Sequence, residues 1–123
     1  MVDKLAQIAV PADDLEQARG FYGGVLGLQE IFSAPRVIAY DAAGIRLLLT
    51  HRPGHRPPGE PGAILYFDVS GIEAAHAGLL SKGAKDAGAP RKVAEHGAND
   101  IWVAFLEDPT GNMVGFIEER PAG

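Results

Sequence analysis

The chain has 123 residues, the length of one domain, and it contains no cysteine, which excludes disulfides, thiolate metal sites and cysteine nucleophiles. Its hydrophobic content of 46%, with 22% charged residues, is typical of a globular protein. The formal charge is −5 and the basic residues form no stripe, which disfavours a nucleic-acid partner, and no apolar run approaches the roughly 20 residues of a membrane span.

The first half begins with MVDKLAQIAVPADD, which reaches acidic residues after one short apolar run. This does not resemble a signal peptide, so we expect a cytoplasmic protein. LAQIAVP predicts a strand, Asp13 and Asp14 offer a helix N-cap, and apolar residues at helical spacing lead to Gly27, which is typical of the residue after a helix. Three strand-like runs follow, LQEIFS, VIAYD and GIRLLLT, with the turn Asp41-Ala42-Ala43-Gly44 between the last two.

The second half repeats this order. AILYFDV predicts a strand, Ser70 is a candidate cap for the helix GIEAAHAGLLSKG, and KVAEHG, IWVAFLE and MVGFIEE predict three more strands. The turn Asp108-Pro109-Thr110-Gly111 lies 67 residues after its counterpart at Asp41, whereas the leading strands and the helices are offset by 57 residues. We therefore expect about ten extra residues in the second half, in an inserted loop within KDAGAPRKVAEHGAND.

This repetition predicts an α+β fold of two βαβββ modules. The Pro- and Gly-rich segment 53–61 is expected to link module one, residues 1–52, to module two, residues 62–123, within a single domain. Each module is expected to form a curled mixed sheet with its helix on the outer face. Two such sheets side by side would surround a concave cavity suited to a ligand.

The paired modules, the phrase IAVPADDLEQARGFYGGVLGL and the closing EDPTGNMVGFIE resemble the vicinal-oxygen-chelate superfamily. That superfamily includes glyoxalase I, methylmalonyl-CoA epimerase, extradiol dioxygenases, fosfomycin-resistance enzymes and bleomycin-resistance proteins. The resemblance covers nearly the whole chain. Its motifs are specific for the fold and say little about the reaction.

In the metal-dependent members, side chains on the first and last strand of each module hold the ion. The resemblance places these positions at Gln7, Leu48, Ile64 and Gly115, and Gly115 stands where metal enzymes usually carry a glutamate. A divalent ion needs three or four N or O donors, and of these residues only Gln7 offers one. The resemblance therefore implies a site with no metal and no other cofactor.

Further candidates for the cavity wall follow from strand parity with these four positions. An arginine on an apolar wall, such as Arg46, suits a carboxylate or phosphate, although an arginine that reaches out at the end of the sheet is an equally good interpretation. Trp102 and Tyr66 are either part of an aromatic wall or residues of the core or of a dimer interface, and for Trp102 the two interpretations are equally good. The candidate ligand-binding residues are Gln7, Arg46, Leu48, Thr50, Ile64, Tyr66, Trp102, Met113 and Gly115.

We expect a metal-free protein that binds an apolar or aromatic small molecule, resembles the bleomycin-resistance proteins and pairs into a homodimer, as short chains of this superfamily commonly do. The acidic surface suits a cationic ligand. The four histidines are interpreted as surface or loop residues. The alternative is a lyase, isomerase or dioxygenase that uses non-standard metal ligands, or metal-free acid–base catalysis by His96 or Tyr66. A third possibility is a structural module whose cavity its own side chains fill.

Overall fold

Each half of the chain folds as a strand, a helix and three more strands. The first half contains β1 (Gln7–Ala12), α1 (Leu15–Arg19), β2 (Gln29–Ala34), β3 (Val37–Ala42) and β4 (Ile45–His51). The second half contains β5 (Leu65–Asp68), α2 (Ile72–Ser81), β6 (Lys85–His96), β7 (Asn99–Glu107) and β8 (Met113–Pro121). The computed structural model describes residue 2 and residues 4–59 and 62–123, and within these residues no helix is long and apolar enough to cross a membrane.

The two halves form separate four-stranded sheets, ordered β1-β4-β3-β2 and β5-β8-β7-β6. In each sheet the first strand runs parallel to the last, and the other neighbours are antiparallel. Ala9 pairs with Leu48 in the first sheet as Tyr66 pairs with Gly115 in the second, so the offsets of 57 and 67 residues also relate the two registers. The predicted α+β fold with two βαβββ modules is confirmed. Both sheets remain open, with β1 and β5 as edge strands.

The first helix begins as predicted and continues differently. The Asp14 carboxylate accepts a hydrogen bond from the Gln17 N–H at 3.0 Å, which caps α1. The α-helical pattern stops at Arg19 and is followed by a π-helical segment, Gly20–Val25. Gly27 then adopts a φ of +76°, the left-handed conformation that commonly follows a helix.

The cap predicted for the second helix is wrong. α2 follows Gly71, which has a φ of +68° and no side chain, and Ser70 does not cap it. Instead the Glu118 carboxylate accepts hydrogen bonds from the backbone N–H groups of Gly71 at 2.7 Å and Ile72 at 3.1 Å. These bonds keep the pKa of Glu118 below its usual value. A carboxylate from β8 therefore replaces the local cap and ties the helix to the sheet.

The inserted loop predicted in the second half is also wrong. Most of that stretch forms β6, which has 12 residues where β2 has 6. The pairing of β6 with β7 shifts at three places, between Asp86 and Gly88, Gly88 and Arg91, and Lys92 and Ala94. These bulges accommodate additional residues within a hydrogen-bonded strand. The periodicity of apolar residues in the sequence does not reveal such bulges.

The Pro- and Gly-rich segment lies between β4 and β5, and its described residues form no helix or strand. Residues 60 and 61 of the predicted linker lie outside the described part. Asp13 accepts a hydrogen bond from the Gly54 N–H and pairs with Arg56 at 2.8 Å. The segment is therefore fastened to the entry of α1.

The hydrophobic core lies on the faces of the sheets that the helices cover. One cluster joins both halves, for example Tyr22 and Leu47 from the first with Leu106 and Phe116 from the second. Because side chains alternate between the two faces of a strand, the opposite face of each sheet carries a different set of residues. We call these opposite surfaces the helix-free faces.

Candidate functional site

The helix-free face of the first sheet carries four of the predicted site residues, Gln7, Arg46, Leu48 and Thr50. Gln7 pairs in register with Arg46, and the Arg46 Nη1 donates to the Gln7 Oε1 at 3.4 Å. The guanidinium carbon of Arg46 lies 5.5 Å from the centroid of the Phe32 ring. The Arg46 head is thus held over this face by an amide and an aromatic ring.

An aromatic pair occupies the helix-free face of the second sheet. Tyr66, which is 46% exposed, pairs in register with Gly115, and Gly115 pairs with Phe105. The Tyr66 and Phe105 rings meet edge to face, with centroids 5.8 Å apart and planes at 67°. Phe105 in turn lies close to Gly88, where an added Cβ would be 3.1 Å from the ring. Aromatic residues and glycines therefore alternate across the four strands.

Gly115 provides the space for the Tyr66 ring. A Cβ at this position would lie 2.6 Å from Cδ1 and 2.8 Å from Cε1 of Tyr66, closer than real Cβ contacts come. A glycine inside a strand normally weakens it, and an aromatic ring laid over the glycine restores packing. The position at which the resemblance leads us to expect a glutamate in metal-dependent relatives is thus covered by an aromatic ring from the neighbouring strand.

The four positions expected to hold a metal do not fit one. Leu48, Ile64 and Gly115 have no side-chain donor, and the Gln7 amide oxygen already accepts a hydrogen bond from Arg46. A divalent cation there would have one neutral ligand and a guanidinium charge beside it, which opposes binding. Within the residues that the structure describes, no three His, Asp or Glu side chains are grouped so as to hold a metal ion.

Two cavities border the gap between β1 and β5, which we call the seam. One has a volume of about 520 Å³ and is lined by Ile64 and Tyr66, by apolar residues of the first half, and by the acidic residues Asp41 and Asp68. The other, of about 300 Å³, is lined by Met113 and by residues of the Pro-rich segment. Ile8 and Leu65 line both cavities. The structure thus brings three of the predicted residues, Ile64, Tyr66 and Met113, to the seam.

Trp102 does not join the other predicted site residues. Its partner on β8 is Glu118, which caps α2, so Trp102 belongs to the face that the helices cover. The guanidinium carbon of Arg120 lies 4.4 Å from its ring centroid, and Arg120 also pairs with Glu73 at 2.9 Å. Trp102 packs against the core there. This position favours the core alternative for Trp102.

The expected surface position of His76 is wrong, because this residue is only 6% exposed. Its Nε2 lies 3.0 Å from Asp86 Oδ1, a contact that fastens β6 to α2. His96, expected in a loop, ends β6 instead, and its Nδ1 lies 3.2 Å from a Glu119 carboxylate oxygen. The other Glu119 oxygen accepts a hydrogen bond from Asn99 at 3.1 Å. The hydrogen bond from Asn99 has the larger effect, and together with the contact to His96 it keeps the pKa of Glu119 below its usual value.

Two aromatic residues of these faces, Phe105 and Phe32, were not predicted. A signal for Phe105 exists in the sequence, because a hairpin that turns at Asp108-Pro109-Thr110-Gly111 places Phe105 opposite Gly115. Phe32 has no such signal. The register of β2 against β3 shifts between Glu30 and Phe32, and such a bulge changes which side chains share a face.

The family comparison matches residues 4–116 to the model described as Glyoxalase/Bleomycin resistance protein/Dioxygenase superfamily. The chain belongs to this superfamily. The match spans nearly the whole chain and agrees with the two-module fold, so the resemblance seen in the sequence is confirmed. A search of curated proteins finds no sequence that matches.

Solved structures of the superfamily share this fold at low sequence identity. A glyoxalase/bleomycin resistance protein/dioxygenase from Alicyclobacillus acidocaldarius is 20% identical, with a TM-score of 0.77 over 95% of this chain and 92% of that chain. A lactoylglutathione lyase from Agrobacterium tumefaciens is 20% identical, with a TM-score of 0.75 over 96% of this chain and 95% of that chain. A glyoxalase-related enzyme from Fulvimarina pelagi is 18% identical, with a TM-score of 0.76 over 95% and 88%. At these identities the likeness establishes the fold alone.

The closing motif EDPTGN joins the two modules of this chain. One oxygen of the buried Asp108 accepts hydrogen bonds from three backbone N–H groups of its own turn, and the other accepts from the Tyr22 hydroxyl at 2.8 Å. Burial, and then the charge of Asp108, raise the pKa of Tyr22, so its hydroxyl keeps the proton it donates. Thr110 and Asn112 bind backbone groups just before α1. The motif is therefore structural in this chain.

Proposed function

We propose that this superfamily member binds a planar, aromatic small molecule without a metal, on the helix-free faces beside the seam. The observation that carries the proposal is the Tyr66 ring, which lies over Gly115 where a metal-dependent relative is expected to present a carboxylate. A ring at this place offers a stacking surface to a ligand, in the way that a carboxylate offers an oxygen to an ion.

Stacking of a ligand ring on Tyr66 should change the dissociation constant enough to be measured. An aromatic pair contributes about 0.5–1.5 kcal/mol beyond the area it buries, and each 1.4 kcal/mol changes the dissociation constant about tenfold. Tyr66 is still 46% exposed, so a ligand ring has surface left to cover. Removing the Tyr66 ring is therefore expected to weaken binding about tenfold.

The test uses 2-naphthamide, a neutral planar probe, in isothermal titration calorimetry with the parent chain and with Tyr66→Ala and Tyr66→Phe. Binding to the parent should be the same in EDTA as after loading with Zn²⁺, Ni²⁺, Mn²⁺ or Fe²⁺ and desalting. Tyr66→Ala should lose about tenfold in affinity, and Tyr66→Phe, the matched control that keeps the ring, should bind as the parent does. Elemental analysis that finds about one retained metal ion per chain would contradict the metal-free proposal.

A second candidate is metal-free acid–base catalysis, because the imidazole of His96 is held by Glu119 at 3.2 Å. A carboxylate that orients an imidazole is a common arrangement for a general base. Since one structural neighbour is a lactoylglutathione lyase, lactoylglutathione is a direct test substrate. We expect no turnover with or without added Zn²⁺ or Ni²⁺. Turnover that is lost in His96→Ala would establish the enzyme instead.

We also propose that the chain forms a homodimer. Two exposed apolar side chains support this, Ile31 on β2 at 52% exposure and Val93 on β6 at 48%. Both strands lie at outer edges of their sheets, where unpaired backbone groups favour association with another chain. Sedimentation at micromolar concentration should give twice the mass of one chain, and a monomer would contradict the proposal.

A further inference from the structure

Arg46 is a positioned cation on the helix-free face of the first sheet. Its guanidinium carbon lies 5.5 Å from the Phe32 ring centroid, and its Nη1 donates to Gln7 at 3.4 Å. Because an aromatic ring and an amide hold the head, less conformational entropy is lost when a ligand binds it than for a freely moving arginine.

Arg46 forms no ion pair with any residue that the structure describes. The carboxylate directly opposite it in register is that of Asp41, which instead accepts a hydrogen bond from the Gly44 N–H at 3.0 Å. A guanidinium carries five N–H donors, and the hydrogen bond to Gln7 uses one of them. The charge of Arg46 therefore remains available on this face.

An apolar floor begins beside that charge. Leu48 follows Arg46 on the same face of β4, and it lies between Ala9 on β1 and Ala39 on β3. Ala39 is fully buried, so the exposed part of this surface consists of Leu48 and the short Ala9 side chain, and neither residue carries a polar side-chain group. A cation at one end of an apolar floor matches a ligand that has an anionic group at one end and an apolar body.

Edge strand β1 carries this floor to the seam, where the aromatic pair of the second sheet begins. Ala9 and Tyr66 occupy equivalent registers in the two sheets, opposite Leu48 and Gly115. Ile8 and Leu65, their neighbours on the two edge strands, line the same two cavities. The floor and the aromatic pair therefore lie on the two sides of one gap.

We propose that Arg46 is the residue that selects an anionic ligand, so that the molecule bound here is a planar aromatic carboxylate. The carboxylate pairs with the Arg46 guanidinium, and the ring system lies over the apolar floor towards Tyr66. This inference rests on the proposed function and adds a ligand class to it. It reverses the expectation from the net charge of −5, because the guanidinium would contact the ligand directly. The carboxylate opposite it, that of Asp41, accepts the Gly44 N–H, and the more distant acidic side chains act through screened solvent.

The experiment compares four probes that share a naphthalene ring: 2-naphthoate, 2-naphthyl phosphate, the neutral 2-naphthamide and the cationic 2-naphthylmethylammonium. Titration calorimetry of the parent chain is expected to show 2-naphthoate bound about tenfold or more tightly than 2-naphthamide, since a hydrogen bond to a charged group is about twice as strong as a neutral one. The cation should bind most weakly. The phosphate shares the anionic chemistry, and tighter binding of the phosphate than of 2-naphthoate would overturn the carboxylate assignment.

Variants separate this inference from the proposed function. Arg46→Gln should remove the preference for 2-naphthoate and leave 2-naphthamide unchanged, and Arg46→Lys should retain part of the preference. Arg52→Gln is the matched control, another exposed arginine without an ion pair among the described residues, and should change neither affinity. Tyr66→Ala should weaken both probes alike.

Equal affinity of the parent for the acid and the amide would overturn the role of Arg46 and leave the binding function intact. Equal losses of 2-naphthoate affinity in Arg46→Gln and Arg52→Gln would also overturn it, because the effect would then be one of general charge. If the parent binds none of the four probes, the proposed function and this inference are both refuted.

Discussion

Replacing Gly115 by alanine tests whether the Tyr66 ring is seated on that glycine. The new Cβ would lie 2.6, 2.8 and 3.2 Å from Cδ1, Cε1 and Cγ of Tyr66, so the ring must leave its position or the strands must shift. Such overpacking typically costs about 1–3 kcal/mol. If the ring leaves, the contact with Phe105 is lost as well, at about 0.5–1.5 kcal/mol.

Alanine also lowers the conformational entropy of the unfolded chain, and this stabilises the folded state by about 0.5–1 kcal/mol. The expected net change for Gly115→Ala is therefore a loss of about 1–2 kcal/mol in the free energy of unfolding. In a Tyr66→Ala background the ring is absent, and the same substitution should be neutral or stabilising. The coupling between the two positions should be about 2 kcal/mol.

Urea unfolding of the parent, both single variants and the double variant measures this coupling. Gly78→Ala in α2 is the matched control, because an added Cβ there meets no heavy atom within 4 Å. It should stabilise the chain by about 0.5–1 kcal/mol. If Gly115→Ala costs the same with and without the Tyr66 ring, the explanation of the glycine is refuted.

Three further predictions concern stability. Asp108→Ala should cost about 3 kcal/mol in urea unfolding, since it leaves the Tyr22 hydroxyl and the backbone N–H groups of Thr110 and Asn112 without their partner. Asp41→Ala, at the equivalent turn with one such bond, should cost less than about 1 kcal/mol, and similar losses would contradict the role given to Asp108. The pKa of Glu118 is lowered in the folded state, so its stabilisation is complete above the ordinary value of 4.5 and is lost as the pH falls through the lower folded value. The difference in urea midpoint between the parent and Glu118→Gln should therefore shrink from about pH 5 to about pH 3, and a difference that does not depend on pH would contradict the capping role. Ala43 has a φ of +53°, so Ala43→Gly should raise the free energy of unfolding by up to about 1 kcal/mol, and a decrease would show that this turn carries no strain.

The repeat could be predicted because the same local sequence signals occur in the same order in both halves of the chain. Caps such as Asp14, the glycines that end helices and the two turns at Asp41 and Asp108 depend on residues close in sequence. The offsets between these signals relate equivalent positions of the two modules, and the pairings of the first and last strand in each sheet follow the same offsets. Strand parity then placed Tyr66 and Gly115 on the same face, as the structure has them.

What could not be predicted depends on residues distant in sequence. The cap of α2 comes from Glu118, 46 residues after Ile72. His76 is buried because Asp86 and the sheet close over it, although the polarity of its neighbours suggests an exposed position. The bulges in β6 changed a predicted loop into a strand. For Trp102 the sequence left alternatives open, and the core alternative is favoured by its pairing with Glu118, on the face that the helices cover.

The motif residues Asp108 and Asn112 lie in the turn between β7 and β8, apart from the candidate ligand-binding residues of the helix-free faces. Asp108 and Asn112 form hydrogen bonds at the junction between the modules. These contacts do not depend on which side chains the helix-free faces carry. This is the physical reason why the motif specifies a fold and leaves the chemistry open.

The glycine at position 115 and the aromatic ring at position 66 depend on each other. A glycine there without an aromatic neighbour leaves a weakened strand, and a ring at position 66 without the glycine meets a Cβ at 2.6 Å. Each residue is therefore favourable only when the other is present. We expect superfamily chains that have glycine at the last-strand metal position, together with an aromatic residue two positions after the metal position of the neighbouring first strand, to retain no metal after desalting. A chain with this pair that keeps a stoichiometric ion would show that the ring and the metal are compatible and would remove the main support for metal-free binding.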